Sequence, residues 1–99
     1  MIKLSHDETE LIGEWLFDGD NVEGDDNCSR IKWLTENILE KVAYSREYGA
    51  WETLYVDKED GRYWAMTYPK SHMHGGGPPA LKCISVNDAH KKYDFGDSK

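Results

Sequence analysis

The sequence predicts an α+β fold: a small antiparallel sheet with a central β-hairpin, one main helix and a short C-terminal helix. Three patterns support this prediction. Aromatic and β-branched residues alternate with polar ones on both sides of Asp60-Gly61, apolar residues recur at helical spacing after Asp25, and a short amphipathic segment follows Ser85. We expect the 99 residues to form a single domain, residues 1–99, with residues 96–99 as a loose tail.

The N-terminal third predicts one strand followed by a loop. Residues 10–17, ELIGEWLF, combine large apolar side chains with Gly13 and are interpreted as the first strand. Residues 18–27, DGDNVEGDDN, have the composition of a loop.

The main helix is predicted over residues 26–37. Asp26 or Asn27 can cap its N-terminus, and Asp25 lies favourably near the positive end of the helix dipole. Beyond residue 37 the segment ILEKVAYS fits either a continued helix or a strand, and the sequence leaves this boundary open. The apolar residues at helical spacing are Ile31, Leu34, Ile38 and Val42.

The C-terminal half gives the clearest β signal. In residues 51–69 the runs WETLYV and RYWAMTY flank DKEDG, as expected of a β-hairpin. Residues 80–85, ALKCIS, predict a short strand. Ser85 stands three residues before Asp88, a variant of the capping box, and predicts a short helix with Ala89 and Tyr93 on one face.

Composition limits the function. The net charge is −7, the isoelectric point about 4.9 and the mean hydropathy −0.79. These values argue against nucleic-acid binding and against an anionic membrane surface, and they favour a basic protein partner. The first ten residues lack a signal-peptide core and no long apolar run follows, so we expect a cytoplasmic protein with Cys28 and Cys83 as free thiols.

Acidic residues are concentrated near the N-terminus. Residues 1–29 contain nine acids and one base, Lys3. An EF-hand is a poor match, because Val22 and Glu23 occupy positions that require Asp or Asn and Gly. The cluster therefore predicts either a solvated acidic loop or a contact surface for a basic partner. Its members are Asp18, Asp20, Glu23, Asp25 and Asp26.

A second unusual stretch is HMHGGGPP, residues 72–79. Phosphate binding is disfavoured, because the prolines lack an N–H group and no Gly-Lys-Ser/Thr follows. Two histidines share a face in an extended segment, but a zinc site needs further ligands from elsewhere. The remaining interpretation is a loop of fixed shape that serves either packing or recognition. Its residues are His72, His74, Gly75, Gly76, Gly77, Pro78 and Pro79.

The chain contains no motif typical of catalysis. There is no nucleophile elbow, no H-E-x-x-H pair and no cysteine–histidine signature. We therefore expect a protein that is not an enzyme and that needs neither a cofactor nor a metal.

Three segments in this order resemble the immunity protein family twenty-seven of bacterial polymorphic toxin systems: residues 49–64, GAWETLYVDKEDGRYW; residues 67–81, TYPKSHMHGGGPPAL; and residues 88–93, DAHKKY. The stretches LIGEW and RIKWL also fit. The resemblance implies a small cytosolic antidote without catalytic residues. It would bind and block the C-terminal toxin domain of a contact-dependent or secreted effector. A monomer is the default expectation for a free inhibitor of this size.

The charge pattern adds a hypothesis to this resemblance. Many such toxins are nucleases, whose basic active sites an acidic surface could occupy as a mimic of substrate charge. The acidic cluster named above is the first candidate contact, and Asp57, Glu59 and Asp60 at the hairpin turn are the second. The alternatives are a small metal-binding domain or enzyme that uses His72 and His74, or a generic protein-interaction module.

Overall fold

Seven strands and two helices form the described part of the chain. A computed structural model describes residues 2–70 and 77–93, except for the side chains of Asp18 and Ala50. The α+β class predicted from the sequence is confirmed. In chain order the elements are β1 (Glu10–Ile12), β2 (Trp15–Asp18), β3 (Asn21–Gly24), α1 (Asp26–Asn37), β4 (Leu39–Ser45), β5 (Gly49–Asp57), β6 (Tyr63–Thr67), β7 (Ala80–Ile84) and α2 (Val86–Lys92).

The main sheet has the strand order β1-β7-β6-β5-β4, with all neighbours antiparallel. The predicted hairpin is β5–β6, in which Tyr55 pairs with Trp64. Its turn contains Gly61 with φ +78°, a conformation that glycine adopts without steric cost. The predicted strand at residues 80–85 is β7, which pairs with β6. The central β-hairpin prediction is thus confirmed.

Helix α1 covers one face of this sheet. Its buried residues Ile31 and Leu34 pack in a core with Tyr55, Trp64 and Leu81 from the strands. The predicted bounds of the helix are confirmed, but the predicted cap is wrong by one residue.

Asp25 caps α1. Its backbone is extended, and its Oδ1 accepts the N–H of Cys28 at 2.9 Å, whereas Asp26 already belongs to the helix. The helix ends at Asn37, where the N–H of Ile38 donates to the carbonyl of Leu34. The segment after it is strand β4, because it pairs with β5 over nearly its whole length.

Helix α2 packs on the opposite face. Ala89 and Tyr93 are buried against Leu54 and Ala65, as their predicted shared face requires. The Ser85 hydroxyl accepts the N–H of Asp88 at 3.1 Å, so the predicted cap is confirmed.

The N-terminal prediction needs correction. Residues 10–17 are not one strand: β1 pairs with β7 in the main sheet, whereas β2 pairs with β3 in a separate two-stranded sheet. The chain changes direction at Gly13, whose N–H donates to the carbonyl of Pro79 at 2.9 Å. The predicted loop also forms β3, because only Gly19 and Asp20 are needed to turn the chain. Gly19 has φ +63° at this turn.

Candidate functional site

The β2–β3 hairpin, residues 15–24, is fixed at its base to the start of α1. The N–H of Asp25 donates to the carbonyl of Glu14 at 3.0 Å, and the Asn27 side chain donates to the carbonyl of Ile12 at 3.0 Å. A Cβ on Gly24 would lie only 2.6 Å from the Cβ of Cys28, so hairpin and helix are in close contact. These contacts hold the base, while the turn at Gly19 lies at the other end of the hairpin.

Apolar side chains on this hairpin are left uncovered. Phe17 is 65% exposed, Leu16 52% and Val22 37%. Phe17 pairs directly with Val22, so the two side chains share one face, and Leu16 pairs with Glu23 on the other. The loop interpretation missed these apolar residues. The available signal was two short runs with large apolar residues on either side of Asp18-Gly19-Asp20.

Three predicted acids also lie uncovered on or beside the hairpin. Asp20 is in the turn, Glu23 is in β3 and Asp26 is the first residue of α1, and all three are exposed. Within the described residues, none of the three takes part in an ion pair. Among the described residues, no ion pair therefore balances the negative charge of these three carboxylates.

The two other members of the predicted cluster differ from these three. Asp18 ends β2 opposite Asn21, and its side chain is not among those described. Asp25 has a structural task as the cap of α1. Its burial opposes ionisation, but the backbone hydrogen bonds that it accepts, led by that from Cys28, outweigh this and hold the pKa of the Asp25 carboxyl below its usual value.

In the second predicted patch, two of the three acids pair with cations and the third is buried. Asp57 is buried, and its Oδ1 accepts the N–H of Glu59 at 2.9 Å, so its carboxylate stabilises the β5–β6 turn. Glu59 forms an ion pair with Lys3, and Asp60 forms one with Arg62 at 2.7 Å. This turn consequently presents less free negative charge than the β2–β3 hairpin.

A comparison with known protein families shows to which family the chain belongs. A family model described as Immunity protein 27 matches residues 17–85, well over half of the sequence. The chain belongs to the Immunity protein 27 family. Searches among curated proteins and among solved structures returned no significant match.

Membership of the Immunity protein 27 family implies toxin neutralisation and a cognate toxin as partner. Proteins of this family are generally not enzymes. The family match includes the turn of the β2–β3 hairpin, α1 and the strands β4 to β7.

The family match also includes HMHGGGPP, of which the last three residues are described. Gly77 has φ +83°, Pro78 is fully buried, and the Pro79 carbonyl accepts the N–H of Gly13. These residues thus connect β7 to the turn between β1 and β2, which supports a packing role for this end of the loop. The other predicted loop residues, namely His72, His74, Gly75 and Gly76, lie outside the described residues.

Neither a metal cluster nor a membrane-spanning helix is found in the part of the chain that is described. No three His, Cys, Asp or Glu side chains converge there as metal ligands would. Its helices are too short and too polar to cross a bilayer. Cys28 and Cys83 are free thiols, as expected.

A cleft of about 480 Å³ lies between the β4–β5 turn and α2 in this Immunity protein 27 member. Its walls mix cations such as Lys91 and Lys92 with the carboxylates of Glu47 and Glu52. The Ser45 hydroxyl in the cleft accepts two backbone N–H groups, from Glu47 and Tyr48, and so stabilises the turn. Uncovered apolar side chains and unbalanced charge occur together at the β2–β3 hairpin, which we therefore take as the candidate functional site.

Proposed function

We propose that this protein is a cytosolic immunity protein that neutralises a nuclease toxin domain by stoichiometric binding. The toxin domain would belong to a contact-dependent or secreted effector of a polymorphic toxin system. The observation that supports this most directly is the exposed acidic charge of Asp20 and Glu23 on the β2–β3 hairpin, in a chain whose family implies a toxin partner. No ion pair balances these two carboxylates within the described residues.

Electrostatics favours a basic partner. A nuclease active site attracts phosphate, so its surface potential is positive, and a protein with net charge −7 is drawn towards it. Exposed carboxylates of Asp20, Glu23 and Asp26, together with Asp18 and Asp25, can occupy that surface in place of substrate phosphates. Complementary charge of this kind raises the association rate and suppresses wrong partners.

The second patch contributes less to this proposal. Glu59 and Asp60 are each paired with a cation, and Asp57 is buried in its turn. A toxin that used them would first have to displace Lys3 or Arg62. We keep this turn as a secondary candidate contact.

The experiment is growth of cells that express the toxin-like domain encoded beside this gene, with and without this protein. We expect rescue, stable co-purification and a 1:1 complex of one monomer of each protein by light scattering. A nuclease assay on the purified toxin domain, with increasing amounts of immunity protein, measures the stoichiometry of inhibition. Continued killing with both proteins soluble would contradict the proposal for that pair. Complete inhibition of the nuclease by much less than one immunity protein per toxin domain would contradict stoichiometric binding.

A further inference from the structure

We propose that Phe17, Leu16 and Val22 anchor the toxin interface, with the β2–β3 hairpin inserted into a basic-rimmed cleft that has an apolar floor. This inference rests on the proposed toxin binding and names the element that makes the contact. In this arrangement the apolar side chains slow dissociation of the toxin, and the acids around them speed its association.

The hairpin is built in a way that favours this use. Isolated two-stranded hairpins are marginally stable, so the hydrogen bonds from Asp25 and Asn27 are needed to hold this one at its base. Trp15 at the base is half-buried, whereas Phe17, two residues closer to the turn, is 65% exposed. A fixed element that presents aromatic and aliphatic side chains can bind with little loss of conformational entropy.

Charge identifies the class of partner. No lysine or arginine occurs between Lys3 and Arg30, so the charged residues of the hairpin itself are all acidic. The cation Lys70 lies at its base, paired with Glu14. Asp20 in the turn and Glu23 opposite Leu16 would meet cations at the rim of the partner's cleft. A second copy of this chain is disfavoured as the occupant, because it would bring the same unpaired carboxylates together.

Exposed apolar residues elsewhere in the described structure provide the controls Trp51 and Val86. Trp51 is 60% exposed but already packs edge-on against Tyr68, with ring centroids 5.6 Å apart. Tyr44 is 49% exposed and lies 5.4 Å from the Lys41 ammonium. Val86 at the start of α2 is 53% exposed, a value close to that of Leu16.

The test measures binding of the toxin domain to the wild-type protein and to Phe17→Ala, Leu16→Ala and the double variant. Stopped-flow mixing gives the association rate, and competition with unlabelled protein gives the dissociation rate. We expect Phe17→Ala to raise the dissociation rate by about thirtyfold, as for an anchor residue, with little change in association rate or its salt dependence. Trp51→Ala and Val86→Ala are the matched controls and should dissociate at the wild-type rate.

The outcomes separate this inference from the proposed function. If the wild-type protein binds and protects while the double variant dissociates at the wild-type rate, the inference is overturned and the proposed function stands. A larger effect of Trp51→Ala than of Phe17→Ala would also overturn it. If the wild-type protein fails to bind or protect, the proposed function itself fails.

A second measurement guards against misfolded variants. A photo-crosslinking amino acid at position 17 should form a covalent product with the toxin domain, and the same group at position 86 should not. Because both side chains point to solvent, neither replacement is expected to disturb folding. Crosslinking from position 86 alone would overturn the inference.

Discussion

At the scale of single residues, two glycines and one cysteine determine how the hairpin joins the sheet. A Cβ at Gly13 would lie 2.6 Å from the Cys28 sulfur and 2.7 Å from the Pro79 carbonyl oxygen. A Cβ at Gly24 would lie 2.6 Å from the Cβ of Cys28. Burial raises the pKa of the Cys28 thiol, which is consistent with a packed rather than a reactive side chain.

This packing predicts that Cys28→Ala changes the stability of a Gly13→Ala variant differently from that of a Gly24→Ala variant. Gly13→Ala and Gly24→Ala should each lower the free energy of unfolding by about 1–3 kcal/mol, because overpacking forces the backbone to shift. Adding Cys28→Ala removes the sulfur that Gly13→Ala would meet, but leaves the Cβ that Gly24→Ala would meet. Urea unfolding of both double variants should show partial rescue for position 13 only. Cys28→Ala alone is the control, and equal rescue at both positions would contradict this account.

A second group of residues, missed by the sequence analysis, holds the N-terminal segment. Arg30 donates two hydrogen bonds to the Glu8 carboxylate, at 2.6 and 2.7 Å, and others to the carbonyls of Ile2 and Lys3. Arg62 donates to the carbonyls of Ser5 and Glu8. The hydrogen bonds from Arg30 lower the pKa of Glu8 from 4.5 to about 2.

The lowered pKa of Glu8 predicts a pH dependence of stability. Its ionised form is favoured in the folded state, so its contribution is fully present above pH 4.5 and is lost as the pH falls towards 2. Glu8→Gln should lower the free energy of unfolding at neutral pH by about 1–2 kcal/mol, since the pair is only partly shielded from water. Urea unfolding from pH 7 to pH 2 should show this difference shrinking below pH 4.5. A constant difference across that range would contradict the role given to the carboxylate.

At the scale of elements, the sequence predicted those helices and hairpins that are stabilised by residues close together in the chain. The β5–β6 hairpin has its turn glycine and alternating strands, and α2 has its serine cap, so both could be predicted from neighbouring residues. The β2–β3 hairpin could not be predicted from neighbouring residues. Its two short strands depend on contacts with α1, and the break at Gly13 depends on Pro79, which is 66 positions away in the sequence. The acidic cluster was predictable as a charged surface, but its apolar neighbours were hidden by the loop-like composition.

Asp25 links the hairpin to α1 and has two possible tasks, capping and charge. Asp25→Ala removes both and should lower the free energy of unfolding by about 0.5–2 kcal/mol, the usual cost of a lost cap. Asp25→Ser retains an oxygen for the Cys28 N–H but removes the charge. In thermal unfolding, the Asp25→Ser variant should therefore be more stable than Asp25→Ala. The toxin association rate should fall for both variants. Equal stability of the two variants would show that the cap contributes little.

At the scale of the whole molecule, the distribution of charge is more informative than its sum. Several acids outside the hairpin are neutralised locally, as in the ion pairs Glu8–Arg30, Asp60–Arg62 and Glu40–Lys58, and Glu14 at its base pairs with Lys70. The exposed pairs among these, such as Glu40–Lys58, add little stability, but every pair cancels part of the local field. Asp20 and Glu23 on the hairpin have no such partner among the described residues, so the field near the hairpin is negative.

This distribution predicts that the position of a charge reversal matters more than its number. Asp20→Lys with Glu23→Lys should lower the toxin association rate by about tenfold or more at low salt and flatten its salt dependence, because steering acts through the local field. Glu36→Lys with Glu47→Lys changes the net charge equally. Glu36 lies ten residues along α1 from Asp26, about 15 Å, which exceeds the screening length of about 8 Å at physiological salt. Stopped-flow measurement of the toxin association rate from 20 mM to 500 mM salt compares the two double variants. Equal slowing by both would mean that net charge, and not the hairpin, attracts the toxin.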